Sequence, residues 1–151
     1  MRATAFATLT PLPDPARRPE FYAGVPQRRA LAWLADITLS GIFAALLLPF
    51  TFFTGIFYFP LLLMVAGFFM RWTTLAAFSA TPGMVLTGIA LREGDGGQLT
   101  PRTAFLHTLG YSLSFAIFPL QLVSAGLMMT TRYGQGLSDM ALGTVAMRRM
   151  L

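Results

Sequence analysis

The apolar residues of this chain are collected into three long segments, separated by stretches rich in proline, glycine and charge. Residues 30–48 contain a single charge and end at Pro49, where a helix would lose a backbone hydrogen bond. Residues 57–77 contain Arg71 as their only charge. Since a bilayer span needs about 20 predominantly apolar residues, both segments are long enough to cross. The pattern predicts a transmembrane helical hairpin with a short turn at residues 50–56.

The third apolar segment, residues 104–130, is compatible with two arrangements. It follows Thr100 and Pro101, which are typical of the N-cap and the first residue of a helix. As one tilted helix it would cross the membrane and leave the C-terminal arginines opposite the N-terminal ones. Alternatively, Pro119 divides it into two pieces, each shorter than a span, that dip into the bilayer and return or lie partly at the interface, so that the tail stays cytoplasmic. Because arginine-rich segments favour the cytoplasmic side, we favour this second, re-entrant arrangement.

The segment between the second and third apolar regions, residues 79–101, has the character of a loop. Proline and glycine punctuate it, and residues 94–97 form a strong turn signal. Residues 85–91 are apolar and partly β-branched, which suits a short strand, although a helix has the same pattern at this length. Residues 144–147 are suited to a second strand beside them, and this pairing requires the C-terminal tail to lie on the side of the loop.

These patterns predict an all-α membrane protein with three regions. Residues 1–26 contain five prolines and are predicted to form a flexible cytoplasmic arm. Residues 27–147 form the membrane domain, and residues 148–151 form a basic tail. The membrane domain is expected to hold the transmembrane hairpin, a third apolar helical segment with its alternative break at Pro119, and a short cytoplasmic loop suited to β-strands.

Composition agrees with a membrane protein and argues against nucleic-acid binding. The chain is 55% hydrophobic and 11% charged, whereas a soluble domain has roughly a quarter of its residues charged. The net charge is +5 and every basic residue is an arginine. These arginines stand beside apolar segments and form no stripe interleaved with exposed aromatic residues. We therefore expect the lipid bilayer, and no nucleic acid, as the surroundings of this chain.

The distribution of arginine predicts the orientation of the hairpin. Five arginines precede the first span, none lies in the turn at residues 50–56, and Arg92 and Arg102 follow the second span. Positive residues close to a span favour the cytoplasmic side. The N-terminus, the loop around Asp95 and the tail near Arg148 are therefore expected in the cytoplasm.

Three charges close to or within the predicted spans are candidates for function: Arg29, Asp36 and Arg71. Arg29 and Asp36 are seven residues apart, on one helix face and about 10 Å apart along the axis, and Arg29 alone is also typical of an interfacial anchor. An aspartate inside a span is costly and marks a partner, a water-filled cavity or an ion path. Asp36 and Arg71 lie at matching depths, which predicts a direct or water-bridged pair. The alternative is that Arg71 reaches the interface beside Trp72.

The remaining ionisable residues give little support to enzyme chemistry. Asp139 is expected either to start a helix or lie at the interface, or to act as a charge partner for Arg29. His107 is the only histidine and is expected to be packed or interfacial, since metal sites need several donors. The chain has no cysteine and no phosphate-binding or hydrolase motif. We expect no catalytic residue, no metal and no cofactor.

The order of Arg29, Asp36 and Asp139 resembles the RDD family, which is named for an arginine and an aspartate in its first membrane helix and a second aspartate downstream. The likeness extends over residues 27–147 and includes Thr81, Pro82 and Gly83, then Gly88, and the run at residues 139–144. Met84 stands where the family usually has a lysine, and Leu142 where alanine is usual. The resemblance implies a membrane module of unassigned molecular function, for which transport has been suggested.

Two functions are compatible with these features. The first, which we favour from the sequence, is a small accessory or assembly component in a bacterial inner membrane that packs against a protein partner or a second copy of itself. The second is an oligomeric transporter of a small ion or solute in which Asp36 helps to bind a cation or proton. Stoichiometry in mild detergent distinguishes a heteromeric complex from a symmetric homo-oligomer.

Overall fold

The structure is a computed structural model that describes residues 12–149. Within these residues the chain forms six α-helices and one two-stranded sheet. In chain order the elements are α1 Val25–Leu47, α2 Phe59–Phe78, α3 Pro82–Thr87, β1 Ile89–Arg92, α4 Pro101–Ala116, α5 Phe118–Thr130, α6 Leu137–Leu142 and β2 Val145–Arg148.

Helices α1 and α2 form the predicted hairpin. Both are long and apolar enough to cross a membrane, which confirms the two expected spans. Helix α1 begins five residues earlier than expected because Pro26 lies in its first turn, where proline is tolerated. Two short 3-10 helices, Pro49–Thr51 and Thr54–Ile56, make the connection that was expected as a turn.

The third apolar segment is broken, as one of the two arrangements requires. Helices α4 and α5 meet at Ile117 with a bend of 118°. Pro119 lies in the first turn of α5, close to the break that the sequence indicated. The predicted start of α4 is also present, since the Thr100 side chain accepts a hydrogen bond from the Thr103 backbone N–H. A bend of this size favours the re-entrant arrangement over a straight crossing.

The loop between α2 and α4 contains the short helix α3 in a region for which the sequence left strand and helix open. The expected strand at residues 85–91 is wrong in its first half, because residues 85–87 belong to α3. Thr81 caps α3 by accepting a hydrogen bond from the Met84 backbone N–H, and Gly88 ends the helix in the left-handed conformation at φ 73°. The strand β1 therefore begins only at Ile89.

Strand β2 pairs antiparallel with β1, as the sequence suggested. Leu91 faces Ala146 in the register, and residues 145–148 form the strand where residues 144–147 were expected. A further bond runs from the Arg149 backbone N–H to the Gly88 carbonyl. The pairing holds the C-terminal strand at the end of the hairpin that carries the loop, so the chain after α5 returns to the end at which α4 begins.

The buried apolar core lies at this same end of the hairpin, where both strands and the short helices meet the ends of the long ones. Its members come from α1, α2, α3, both strands, the start of α4 and the loops on either side of α3 and β1. They are Val25, Ala32, Leu75, Ala80, Met84, Ile89, Ala90, Leu91, Leu99, Ala104 and Ala146. Elsewhere the long helices expose large apolar side chains, such as Leu46 and Phe69, as lipid-facing surfaces do.

The segment before α1 contacts the connection between α5 and α6. The Tyr22 hydroxyl donates to the Pro13 carbonyl at 2.7 Å, and its ring meets Tyr133 edge to face. Arg132 pairs with Asp14 at 2.5 Å. Burial, with the nearby Tyr133 and Asp14, raises the pKa of Tyr22 to about 12. Residues 1–11 of the predicted arm and residues 150–151 of the predicted tail lie outside the described residues.

Candidate functional site

One face of α1 carries the charged residues that the sequence singled out. Its buried residues recur every three or four positions, which is the period of one helical face. They are Val25, Arg29, Ala32, Asp36, Ser40 and Ala44. The face contacts α2 and α3, and its small and polar residues form the surface on which these helices pack.

Asp36 is held by the start of α3. Its Oδ2 accepts from the Thr81 hydroxyl at 2.5 Å and its Oδ1 accepts from the Gly83 backbone N–H at 2.7 Å. The first backbone N–H groups of a helix have no partner within the helix, so a carboxylate here satisfies one of them. Arg71 Nη1 lies 4.0 Å from Asp36 Oδ2, so the two charges predicted to pair are adjacent.

Gly83 allows α3 to come this close. A Cβ atom at this position would lie 2.1 Å from the Ala32 carbonyl oxygen and 2.9 Å from Asp36 Oδ1. Since the first of these atoms is backbone, turning a side chain does not relieve that contact. Only glycine therefore fits between α1 and the Asp36 carboxylate without moving a helix.

Arg71 is buried beneath α4 and does not reach the interface. Its side chain is 9% exposed, and its guanidinium carbon lies 4.2 Å from the centre of the Tyr111 ring, a cation–π arrangement. The Arg71 Nε has no hydrogen-bond partner within the part of the chain that the structure describes. The alternative in which Arg71 reaches the interface beside Trp72 is therefore wrong.

Asp139 is the centre of a second cluster. It pairs with Arg29 at 2.7 Å between Oδ2 and Nη1. Its Oδ1 accepts from the Thr144 hydroxyl at 2.9 Å and lies 2.8 Å from His107 Nε2. Its Oδ2 accepts from the Gly136 backbone N–H at the start of α6. Both expectations for Asp139, a helix start and a partner for Arg29, are therefore met by the same side chain.

Opposing effects act on the Asp139 carboxyl. Burial acts to raise its pKa, because the charged form loses water. The charge of Arg29, the contact with His107 and the Gly136 N–H act in the other direction and outweigh burial. The pKa of Asp139 is consequently held well below its usual range, so the carboxylate is ionised at any physiological pH.

A cavity of about 490 Å³ joins the two clusters. It lies beside α1, and α5 supplies much of its opposite wall. Arg29, Asp36, Arg71, His107 and Asp139 all line it, as do apolar side chains of α5. Within residues 12–149, no group of three or more His, Cys, Asp or Glu side chains is placed to hold a metal ion.

The sequence profile of the RDD family matches residues 22–143, about four fifths of the chain. The chain belongs to the RDD family. No curated protein and no solved structure matches it significantly. The three residues that give the RDD family its name do not form one triad here. Arg29 pairs with Asp139, whereas Asp36 is held by α3 and faces Arg71.

Several residues of this RDD site were not assigned a role from the sequence. His107 was expected to be packed or interfacial, yet it contacts Asp139 directly. Tyr111 lies four residues after His107, and Trp33 lies four residues after Arg29. Helical spacing therefore places each of them next to a residue that the sequence analysis discussed. Thr81 was noted only as part of a motif, because no local pattern reveals a contact across 45 residues.

Met84, at the position where RDD proteins usually have a lysine, is buried and lines the cavity. A lysine would add a third cation to the wall that already holds Arg29 and Arg71. In this chain the four carboxylate and guanidinium charges of the cavity sum to zero.

Proposed function

We propose that this RDD protein binds a small solute inside the membrane and carries it across as one unit of an oligomer. The observation that carries the proposal is the cavity of about 490 Å³ and the buried charges on its wall. Ligand sites for small molecules commonly occupy about 300–1,000 Å³ and combine an apolar lining with a few polar groups. The cavity has this composition.

The arrangement of the charges supports a binding role over a purely structural one. Charged side chains within a membrane are costly, and they generally mark a solute or ion path. Close pairing of a carboxylate with a guanidinium would reduce that cost. Arg71 Nη1, however, lies 4.0 Å from Asp36 Oδ2, which is beyond hydrogen-bond distance. The guanidinium of Arg71 is therefore able to interact with a solute bound in the cavity.

An oligomer is part of the proposal because one copy offers only part of a pathway. The hairpin and the bent pair α4 and α5 give two or three crossings at most among the described residues. A second copy would supply the other wall. We place the protein in a bacterial inner membrane, with the N-terminus, the loop near Asp95 and the tail in the cytoplasm. The arginine distribution and the pairing of β1 with β2 on one side support this orientation.

The two tryptophans of the chain allow a direct test of solute binding. Trp33 lines the cavity, whereas Trp72 packs against Phe68 and Phe105. In the variant Trp72→Phe, reconstituted into nanodiscs, Trp33 is the only indole. At least one class in a panel of small cations, anions and neutral solutes should change its emission saturably and be taken up by proteoliposomes. The variant Trp33→Phe is the control and should not respond. A panel without any saturable response would refute solute binding.

The accessory role expected from the sequence is the second candidate, supported by two glycines. Gly41 on α1 and Gly126 on α5 have open space where a Cβ atom would be, so their helix surfaces are free for close contact with another helix. In either role we propose that the protein is not an enzyme. A stable complex with a different membrane protein in mild detergent would support the accessory role, and a symmetric homo-oligomer would support transport.

A further inference from the structure

The hydrogen-bonding state of the cavity indicates which class of solute it takes, an inference that rests on the proposed solute binding. Every carboxylate oxygen on its wall already accepts a hydrogen bond. Asp36 accepts from Thr81 and Gly83, one bond to each oxygen. Asp139 accepts from Thr144 at Oδ1 and from Gly136 at Oδ2, and Arg29 pairs with it. A cation entering the cavity would have to compete with these groups for both carboxylates.

The donors of the cavity are in the opposite situation. Arg71 Nε is buried and has no hydrogen-bond partner among the described residues, and Trp33 Nε1 is a second buried donor on the same wall. Buried donors without a partner are uncommon and costly. Arg71 is also the cation whose charge is least compensated, since Arg29 lies 2.7 Å from its carboxylate and Arg71 lies 4.0 Å from its own. The wall therefore has a buried donor that lacks a hydrogen-bond acceptor. A negatively charged acceptor is the best match, because it also compensates the charge of Arg71.

The rest of the cavity favours a ligand whose acceptor group is attached to an apolar portion. Phe118, Leu122 and Met129 of α5 line the cavity and are also more than half exposed, at 64%, 60% and 79%. The cavity therefore opens along the apolar surface of α5, which packs on α4 and α6. In a membrane this surface adjoins lipid, so an amphiphile has a lateral entrance from the bilayer.

We infer that the cavity binds an amphiphilic monocarboxylate, with its acid group at Arg71 and its apolar chain along α5. Arg71 offers the charge-assisted, planar donor geometry that matches a carboxylate. Trp33 lies on α1 at the other side of the same wall and supplies a second donor. The apolar residues of α5 surround the hydrocarbon chain of the ligand in place of lipid.

A proton accompanies the anion, because the four charges on the cavity wall already balance. Adding a carboxylate would leave one net negative charge within the membrane, which is costly. His107 is the group that can take up the compensating proton. Its Nε2 donates to Asp139, since an ionised carboxylate only accepts, and its Nδ1 has no partner within residues 12–149. The charged groups around it are Arg29 on α1, Arg71 on α2 and Asp139 on α6.

Octanoate is a suitable probe of this site. The Trp72→Phe protein in nanodiscs of zwitterionic lipid is titrated with octanoate, with its neutral analogue octanamide, and with the cation octyltrimethylammonium. Octanoate should change Trp33 emission saturably, whereas the other two should act only by unsaturable partition into lipid. Octanoate affinity should rise as the pH is lowered, because a proton taken up by His107 balances the charge of the bound acid.

Three variants separate the roles of the residues. Arg71→Gln should weaken octanoate binding roughly 10- to 100-fold, the range expected for a lost charge-assisted hydrogen bond. His107→Gln should retain binding and lose its pH dependence. Arg92→Gln is the matched control, since Arg92 lies on β1 and is not part of the cavity wall, and it should bind octanoate like the parent. Equilibrium dialysis of labelled octanoate against the parent protein gives the affinity without any variant.

The outcomes distinguish this inference from the proposed function. Saturable binding of a cation or neutral solute without binding of octanoate overturns the monocarboxylate and leaves solute binding standing. No saturable response to any solute removes both. Anionic lipid is the other source of the same chemistry, so nanodiscs containing phosphatidylglycerol form a separate arm. Displacement of octanoate by that lipid would identify a lipid headgroup as the occupant and would overturn the proposal that the cavity binds a free carboxylic acid.

Discussion

Replacement of Gly83 by alanine is the most direct perturbation of the Asp36 cluster. The new Cβ atom would lie 2.1 Å from the Ala32 carbonyl oxygen. Ordinary van der Waals contact begins at 3.4 Å, so α3 would have to move away from α1 by about 1.3 Å. The same movement lengthens the 2.7 Å bond from the Gly83 N–H to Asp36 beyond hydrogen-bond distance.

Two terms contribute to the expected loss of stability. Overpacking a well-packed contact typically costs about 1–3 kcal/mol. Loss of a hydrogen bond to a charged group costs about 1.5–3 kcal/mol, and Asp36 is buried, so water does not replace it freely. Gly83→Ala should therefore lower the free energy of unfolding by about 2.5–6 kcal/mol.

The matched control is Gly41→Ala on α1. A Cβ atom at Gly41 would meet nothing within 4 Å, and alanine in a helix interior is favoured over glycine by about 0.5–1 kcal/mol. Both variants are unfolded by sodium dodecyl sulfate titration in mixed micelles, followed by circular dichroism. If Gly83→Ala is as stable as Gly41→Ala, the close approach of α3 to Ala32 and its bond to Asp36 do not stabilise the fold.

Three further predictions concern the charges and the orientation. In a double-mutant cycle, Asp36→Asn and Arg71→Gln should together cost less than the sum of the two single changes by roughly 0.5–3 kcal/mol, whereas strict additivity would exclude their coupling. Asp139→Asn should cost about 3–5 kcal/mol at neutral pH, because it leaves a buried arginine unpaired. Since the folded pKa of Asp139 is depressed, its contribution is present above the unfolded pKa of about 3.9 and lost as the pH falls below it, so parent and variant unfolding curves should converge in acid. Arg148→Cys should resist an impermeant thiol reagent applied to intact cells, whereas Phe52→Cys in the hairpin turn should be labelled, and labelling at position 148 would contradict the cytoplasmic tail.

The spans and the break in the third segment were predictable because they depend on local properties. Length, hydropathy and the position of Pro119 are all visible within one segment. The depth match between Asp36 and Arg71 also follows from counting residues along two antiparallel helices. Their adjacency could therefore be anticipated without coordinates.

The partners of the charges were less predictable because they come from distant parts of the chain. Thr81 and Gly83 reach Asp36 only after residues 82–87 become helical, and seven apolar residues do not distinguish a helix from a strand. His107 reaches Asp139 because the bend at Ile117 returns the chain toward α1. The cavity depends on how far α5 stands from α1, which no local pattern records.

The pairing of β1 with β2 also determines the order in which this protein can be assembled. Synthesis delivers the hairpin to the membrane first, whereas residues 145–148 are among the last of the described residues to be made. Until the C-terminal residues are made, Arg29 lacks its partner Asp139 and β1 lacks its partner strand. The nascent chain thus passes through a stage in which a cation that is buried in the complete fold and the edge of β1 are both uncovered. Both groups are covered only when the C-terminal residues are in place, so completion of the fold depends on the last part of the described chain to be made.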